Sequence, residues 1–328
     1  MAAPPSALLN SLHDFKDKIL RWRSSIRYLM EMITISNSSL AITIHNPDGE
    51  NGYYRGTRFD WAGVFAGIEY KGINYAEPWF ENYSPTMHDA VCGPAEEFSP
   101  IGLEEVVPGE PFLKIGVGVL EKMEGEYDRF KLHNILDPGR RTLCLTETSA
   151  VFGHFISHDN GYGYEYEYIK EISIIGASSF RISHTLRNAG QKSLIGSVYN
   201  HNFYTMGILQ TGPARQLDFP FKPEGDWRAE YSEVGFTESG IRFTRMLRKG
   251  ESVFTGNLHQ AGKGMTGSPN SFELRDTGTG CTVKACCTSP MTKSVFWSNH
   301  RIACIEPYID FAIAPGETFT FDIGYTLD

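Results

Sequence analysis

The feature that most restricts the fold of this chain is a long series of short segments in which apolar and polar residues alternate. Such alternation places apolar side chains on one face of a β-strand and polar side chains on the other. The segments include "ITISNSSLAITIH", "RFKLHNILD", "YEYEYIKEISIIG" and "SFRISHTLRNAG", and Gly, Asn, Asp or Pro residues lie between them. About fifteen or more such strands in one run without a linker predict a single large antiparallel β-sandwich over residues 32–328.

The first 31 residues have a different pattern. Their apolar residues recur at the spacing of an amphipathic helix, at Leu8, Leu9, Leu12, Phe15, Ile19, Leu20 and Trp22. We therefore predict a short helical extension over residues 1–31. A helix that packs on the sandwich is favoured over one whose Arg/Trp-rich end touches a membrane.

Charge and cysteine content narrow the classes of partner and compartment. The chain has 328 residues, a net charge of -9 and no Lys/Arg block, which argues against nucleic acid and anionic membranes as partners. There is no segment long enough to span a bilayer and no signal-peptide-like apolar run. The six cysteines form no C-x-x-C pair, which favours buried free thiols. These features predict a cytoplasmic protein, either monomer or homodimer.

The first candidate motif is "GYYRGTRFDWAG", residues 52–63. Arg55 and Arg58 lie near Asp60 and Trp61, so one interpretation is a turn decorated by ion pairs of little energetic consequence. The other is a sugar site, in which a guanidinium donates to substrate oxygens and Trp61 stacks on a sugar face. The glycines do not form a phosphate loop, because no G-K-[ST] is present.

The second motif is "MHDAVCGPAEEF", residues 87–98, which reads as a loop. It holds His88, Asp89, Glu96 and Glu97, and loops on rigid scaffolds often hold functional groups. His88 and Glu97 are candidate substrate-binding residues. The spacing matches no known metal-ligand motif, so we expect no metal and no other cofactor.

The third motif is "YNHNFYTM", residues 199–206, in which a histidine stands between two asparagines near a strand end. Alternation places Tyr199, His201 and Phe203 on one face, and Asn200 and Asn202 on the other. His201 is either a satisfied core residue or a general acid or base. Asn200 is a candidate to fix the imidazole or to contact a sugar hydroxyl.

The fourth motif is "RIACIEPYIDF", residues 301–311. Ile302, Cys304 and Glu306 share one face of an otherwise apolar strand, and Pro307 is expected to end the regular pairing of that strand. Desolvation there would raise the pKa of Glu306 toward the range of a general base. A buried salt bridge is the alternative interpretation.

Taken in order, these motifs resemble the aldose 1-epimerase family, whose fold is the galactose mutarotase-like β-supersandwich. "YNHNFY" resembles the family's "NHTYF" segment, and "ACIEPYIDFAIAPGE" resembles its late Glu segment and final turn. The resemblance covers roughly residues 32–328, in strand order, and leaves the N-terminal extension outside it.

The resemblance implies that His201 protonates the ring oxygen and that Glu306 removes the proton of the anomeric hydroxyl, with no cofactor. It also implies that Arg55 or Arg58 holds sugar hydroxyls and that His88 stands at the family's first histidine. The implied ligand is a small-molecule carbohydrate.

The chain departs from the family pattern in its early segments. The family's "N-R" and "H-G-G" segments are not reproduced, and no residue matches its sugar-binding aspartate clearly; Asp218 and Asp226 are the candidates. The sugar therefore stays open, with a uronic acid or a modified sugar among the alternatives. Two other functions also stay open: a glycoside-cleaving lyase or hydrolase on the same fold, and a non-catalytic carbohydrate-binding protein.

Overall fold

The computed structural model describes residues 32–157, 163–207, 210–263 and 267–328. The described part is an all-β structure in which 23 strands pair in antiparallel fashion and one short 3-10 helix spans Leu103–Glu105. This confirms the predicted large antiparallel β-sandwich. The predicted N-terminal helix lies outside the described residues.

The first half of the chain forms twelve strands. They are β1 Met32–Ser36, β2 Leu40–His45, β3 Val64–Tyr70, β4 Ile73–Asn74, β5 Gly93–Phe98, β6 Pro111–Lys114, β7 Gly118–Glu121, β8 Ile135–Asp137, β9 Arg140–Leu145, β10 Ser149–Ile156, β11 Tyr166–Ile174 and β12 Ser179–Asn188.

The second half forms the other eleven. They are β13 Leu194–Phe203, β14 Arg215–Asp218, β15 Pro223–Trp227, β16 Val234–Phe236, β17 Gly240–Phe243, β18 Ser252–Gln260, β19 Ser271–Asp276, β20 Cys281–Cys287, β21 Lys293–Asn299, β22 Ala303–Ile313 and β23 Thr318–Leu327.

Two large sheets contain most of these strands. The ten-stranded sheet has the order β16-β17-β14-β19-β20-β23-β12-β11-β10-β9, and the six-stranded sheet has the order β15-β18-β21-β22-β13-β5. Smaller sheets are formed by β1 to β4 and by β6 to β8. The segment "ITISNSSLAITIH" is the β1-β2 hairpin, as its pattern predicts. Within "RFKLHNILD" only Ile135–Asp137 is a strand, so the prediction of a strand from residue 129 is wrong.

The loop predicted over residues 87–98 is wrong for its second half, because residues 93–98 form the buried strand β5. The strands β5, β13 and β22 lie side by side in the six-stranded sheet, and their register fixes which side chains meet. Tyr199 on β13 is paired with Glu97 on one side and with Tyr308 on the other. Pro307 does not end β22, which continues to Ile313 and stays paired with β21 beyond the proline. The regular β13-β22 pairing does stop next to Pro307, because proline has no N–H to donate.

Both faces of this part of the sheet are buried. Residues 198–203 of β13 and 303–309 of β22 are all buried, so their alternation separates two interior faces. One face packs toward the ten-stranded sheet. The other lies against a second apolar cluster that includes Phe59, Trp79, Phe203 and Cys304. Polar groups on this second face are therefore held between strands and covering loops.

The cysteines are free thiols, but only half of them are buried. Cys92, Cys281 and Cys304 are buried, whereas Cys144 and Cys286 are exposed. The prediction of free thiols is confirmed for all six, and the prediction that they are buried is wrong for the exposed ones.

Candidate functional site

His201 and Glu306 meet on the loop-covered face of the six-stranded sheet. The Nε2 atom of His201 lies 3.2 Å from Oε1 of Glu306. Both residues are buried, with 3% and 5% of their surfaces exposed. Their contact follows from the β13-β22 register, since each lies two residues beyond the Tyr199–Tyr308 pair and side chains two apart share a face.

The surroundings of the two groups shift their pKa values in opposite directions, raising that of Glu306 and lowering that of His201. Burial raises the pKa of Glu306 to about 7; the cations Arg58 and Arg129 oppose this rise, and Glu97 adds to it. Burial, together with the same two cations, lowers the pKa of His201 well below its usual range. Near neutral pH Glu306 is therefore partly protonated, and the His201 imidazole is neutral in the free protein.

Aromatic rings enclose the imidazole. The His201 ring stacks on Phe203 with centroids 3.7 Å apart, and Phe59 and Trp297 present edges to it at 6.0 and 5.9 Å. Among the residues that the structure describes, the Nδ1 atom of His201 has no hydrogen-bond partner. The ring is thus positioned by packing on one strand and by Glu306 on the next.

Arg58 lies next to this pair and is held on two sides. Its Nε donates to Oε2 of Glu97 at 2.8 Å, and its Nη2 donates to the hydroxyl of Tyr199 at 2.9 Å. Its guanidinium lies 4.5 Å from the Phe59 ring centroid and 5.2 Å from that of Phe130. The motif "RGTRF" therefore supplies a fixed guanidinium, with a charge that acts on both His201 and Glu306.

Glu97 is the anion around which the cations of the site gather. The Nζ atom of Lys114 lies 3.2 Å from its Oε1, and Nη1 of Arg129 lies 3.5 Å from its Oε2. Tyr199 also donates its hydroxyl to Glu97. Burial alone would raise the pKa of Glu97, but Lys114, Arg58 and Arg129 lower it to about 2, so it is ionised.

His88 lies at the rim, where its side chain is 35% exposed. Its ring is 5.0 Å from that of Phe130, and Nδ1 lies 3.8 Å from a carboxylate oxygen of Asp89. Burial lowers the pKa of His88, and the charges of Arg58 and Glu97 also act on it. The structure thus brings His88, Arg58, Glu97, His201 and Glu306 into one neighbourhood.

Asn200 and Trp61 are not part of this group. The Nδ2 atom of Asn200 donates to Glu96 at 2.7 Å and its Oδ1 accepts from Tyr325 at 3.0 Å, both on the opposite face of β13. Trp61 is 2% exposed, and its indole N–H donates to the carbonyl of Gly56 at 2.7 Å. The expected sugar contacts do not fit either placement, because the polar atoms of both side chains are already bonded inside the core.

Arg55, Asp218 and Asp226 are also placed outside the His201–Glu306 contact. Arg55 is half-buried; its backbone N–H donates to the carbonyl of Pro85, and its Nε has no hydrogen-bond partner within the described part of the chain. Asp218 on β14 pairs with Arg242, and Asp226 on β15 accepts from Asn257 at 2.8 Å.

Sequence reasoning missed Arg129, Lys114 and the role of Tyr199. Tyr199 was predictable in principle, since it shares a face with His201. Arg129 lies in a loop, and Lys114 lies on β6 of a separate small sheet. Only the tertiary structure brings them to Glu97. No motif spacing marks them.

The described residues include no cluster of three or more His, Cys, Asp or Glu side chains placed to hold a metal ion. Within the same residues, no helix has the length and apolar character needed to cross a lipid bilayer.

Comparison with known proteins identifies the fold family. No protein-family profile and no curated protein matches the sequence. Among solved structures, a galactose mutarotase-like protein from Clostridium acetobutylicum is similar with a TM-score of 0.56 at 12% identity, over 90% of this chain and 95% of that one. An aldose epimerase homologue from C. elegans gives 0.53 at 14% identity, over 90% and 98% of the two chains. A galactose mutarotase-like protein from Lactobacillus casei gives 0.52 at 12%, over 90% and 100%.

These likenesses span nearly the whole of each compared chain. The protein therefore has the galactose mutarotase-like β-supersandwich fold, as the resemblance of its motifs implies. At such low sequence identity the likeness establishes the fold, and function has to be argued from the site.

Proposed function

We propose that this protein is an aldose 1-epimerase-like enzyme that interconverts the α and β anomers of a sugar. The observation that carries the proposal is the buried contact between His201 Nε2 and Glu306 Oε1, 3.2 Å apart. Anomer exchange requires an acid and a base on two oxygens bonded to the same carbon, so the two groups must lie close together.

In the proposed reaction Glu306 takes the proton of the anomeric hydroxyl while the bond between C1 and the ring oxygen breaks. The bonding electrons go to the ring oxygen, which receives a proton from His201. The resulting open-chain aldehyde rotates about C1–C2 and closes on its other face. The proton steps then run in reverse, so the protein returns to its starting state and no oxidant or cofactor is consumed.

The protonation of the pair suits this exchange. Near neutral pH part of the molecules carry one proton on the pair, on Glu306, because the pKa of Glu306 is about 7 and that of His201 is lowered. Movement of this proton from Glu306 to His201 across their contact produces the base and the acid together. Arg58, held by Glu97 and Tyr199, then favours the ionised form of Glu306.

The test is NMR exchange spectroscopy between anomers, with neutral aldoses, uronic acids and sugar phosphates as substrates. We expect His201→Ala and Glu306→Gln each to lower the enzymatic exchange rate about 10²–10⁴-fold, the usual contribution of a general acid or base. Circular dichroism of each variant checks that the fold is kept.

A second His–Glu contact gives a matched control. His259 Nε2 lies 2.9 Å from Glu224 Oε1, but Glu224 is 51% exposed and the pair belongs to β18 and β15. His259→Ala and Glu224→Gln should leave the exchange rate unchanged. Wild-type protein that accelerates no sugar, or that instead releases new reducing ends from glycosides, would contradict the proposal.

A further inference from the structure

Three cations gather on one carboxylate at the site. Arg58, Lys114 and Arg129 all lie within 3.5 Å of a Glu97 oxygen. The same carboxylate also accepts the hydroxyl of Tyr199. One ionised carboxylate cannot neutralise three cations, so this cluster carries an excess of positive charge.

The nearby carboxylates do not remove the excess. Glu306 is only partly ionised near neutral pH, because its pKa is raised to about 7. Asp89 lies at the rim against His88, and the carboxylate of Asp128 accepts the backbone N–H of Phe130 at 2.9 Å. Neither aspartate forms an ion pair with the three cations in the described part of the chain.

Of the three cations, Arg129 is the one that a ligand can reach. Lys114 is fully buried, and the side chain of Arg58 is 8% exposed and bonded to Glu97 and Tyr199. The side chain of Arg129 is 38% exposed, and the contacts of its Nη1 with Glu97 and Tyr199 are long, at 3.5 and 3.4 Å. It also hydrogen-bonds to Tyr308. Since a guanidinium has five N–H donors, Arg129 has donors left for an oxyanion.

We propose that the substrate is a monosaccharide with an anionic group and that Arg129 binds this anion. The inference rests on the proposed anomer exchange at His201 and Glu306. An arginine fork pairs with carboxylate or phosphate through two parallel hydrogen bonds, and partial burial beside other cations strengthens such a pair. The excess charge of Arg58 and Lys114 then serves to attract the same anion.

The test measures anomer exchange for two carboxylates, glucuronate and galacturonate, for one phosphate, glucose 6-phosphate, and for neutral glucose and galactose. We expect wild-type protein to prefer an anionic sugar, and Arg129→Gln to lower its kcat/KM about 10–100-fold, the size of a lost charge-assisted hydrogen bond. The neutral sugars should lose less than the anionic ones, since for them the substitution acts only through the pKa values of Glu306 and His201. Arg129→Lys should restore part of the loss. A response to uronates alone identifies a carboxylate, and a response to glucose 6-phosphate alone identifies a phosphate.

Arg187 provides the control, because it is also 38% exposed and pairs with a carboxylate, Glu167, at 3.3 Å. Arg187→Gln should alter no rate. The inference would be overturned if wild-type protein exchanged neutral sugars as fast as anionic ones or faster, and if Arg129→Gln slowed both kinds of sugar equally. The proposed anomer exchange would still stand in that case. Calorimetry separates the reverse case: anionic sugars that bind through Arg129 without any exchange would support the anion site and overturn the epimerase.

Discussion

Glu306 is a carboxylate that the protein keeps near its titration point. An apolar strand and its covering aromatic rings remove it from water, which raises its pKa to about 7 against the opposing charges of Arg58 and Arg129. Desolvation of this kind makes a glutamate a competent base at neutral pH. It also costs stability whenever the group is ionised.

This cost gives a prediction for Glu306→Gln. The pKa of Glu306 is raised from an unfolded value of 4.5, so its contribution to stability is fully present below pH 4.5 and is lost as the pH rises through about 7. At pH 8 we expect Glu306→Gln to raise the free energy of unfolding by about 3 kcal/mol relative to wild type, and at pH 4 to leave it nearly unchanged.

Urea unfolding at the two pH values measures this difference. Glu147→Gln, at an exposed position, is the control and should show no pH-dependent difference. A Glu306→Gln effect of the same size at pH 4 and pH 8 would show that ionisation of Glu306 carries no penalty.

The sequence identified Glu306 and His201 as candidates but not Arg129. A carboxylate in "RIACIEPYIDF" stands out, because its neighbours on the same face are Ile302 and Cys304. Arg129 lies in a loop segment of ordinary composition, and its position beside Glu97 depends on how distant parts of the chain pack.

Among the strands, β13 shows how one element can separate two polar environments. His201 faces Glu306, whereas Asn200 and Asn202 face Tyr325 of the ten-stranded sheet. The predicted alternation is therefore present, but the expected role of Asn200 at the sugar does not fit its bonded position. Period-two spacing assigns residues to faces, and it does not say which of two buried faces holds a site.

Asn202 replaces backbone pairing where β13 and β22 stop pairing regularly. Its Nδ2 donates to the carbonyls of Ile305 at 2.9 Å and Asn200 at 3.0 Å. Its Oδ1 accepts from Tyr325 at 3.2 Å. This amide therefore joins the strand of His201 to the strand of Glu306.

We predict that Asn202→Ala lowers the free energy of unfolding by about 1–3 kcal/mol, because buried groups on both strands lose their partner. Chemical denaturation measures the change. Asn134→Ala removes an exposed amide that donates to Glu121 at 2.7 Å, and should cost less than about 0.5 kcal/mol. Equal losses for the two variants would contradict a bridging role for Asn202.

Across the whole molecule, a second buried charge network joins the two large sheets. Lys170 on β11 of the ten-stranded sheet pairs with Glu96 on β5 of the six-stranded sheet and with Asp60 at 3.4 Å. It also donates to the carbonyl of Ala62 at 2.7 Å. Burial alone would raise the pKa of Glu96, but Lys170 and His184 lower it to about 2, so Glu96 is ionised. Burial raises the pKa of Asp60, against the opposing charge of Lys170.

We predict that Lys170→Met lowers the free energy of unfolding at pH 7 by about 3–5 kcal/mol, since it leaves two buried carboxylates without their cation. Adding Glu96→Gln and Asp60→Asn to the same chain should recover part of the loss. Urea unfolding provides the measurement, and Lys192→Met is the control.

Lys192 lies 2.7 Å from Glu105, but both side chains are about half exposed, at 49% and 52%. An exposed pair of this kind contributes about 1 kcal/mol or less. If Lys170→Met costs no more than Lys192→Met, the network does not hold the sheets together.

By itself the sequence determined the fold class and many of the strands, because period-two alternation and turn residues are local properties of the chain. It did not determine β5 or the short extent of β8, which follow from pairing with distant strands. It also marked His201 and Glu306, since polar groups in apolar strands are visible in short segments. The tertiary structure alone decided that these two side chains touch, that Glu97 gathers three cations, and that Asn200 and Trp61 point elsewhere. Those outcomes depend on strand register and on contacts between distant segments, and neither is encoded in local spacing.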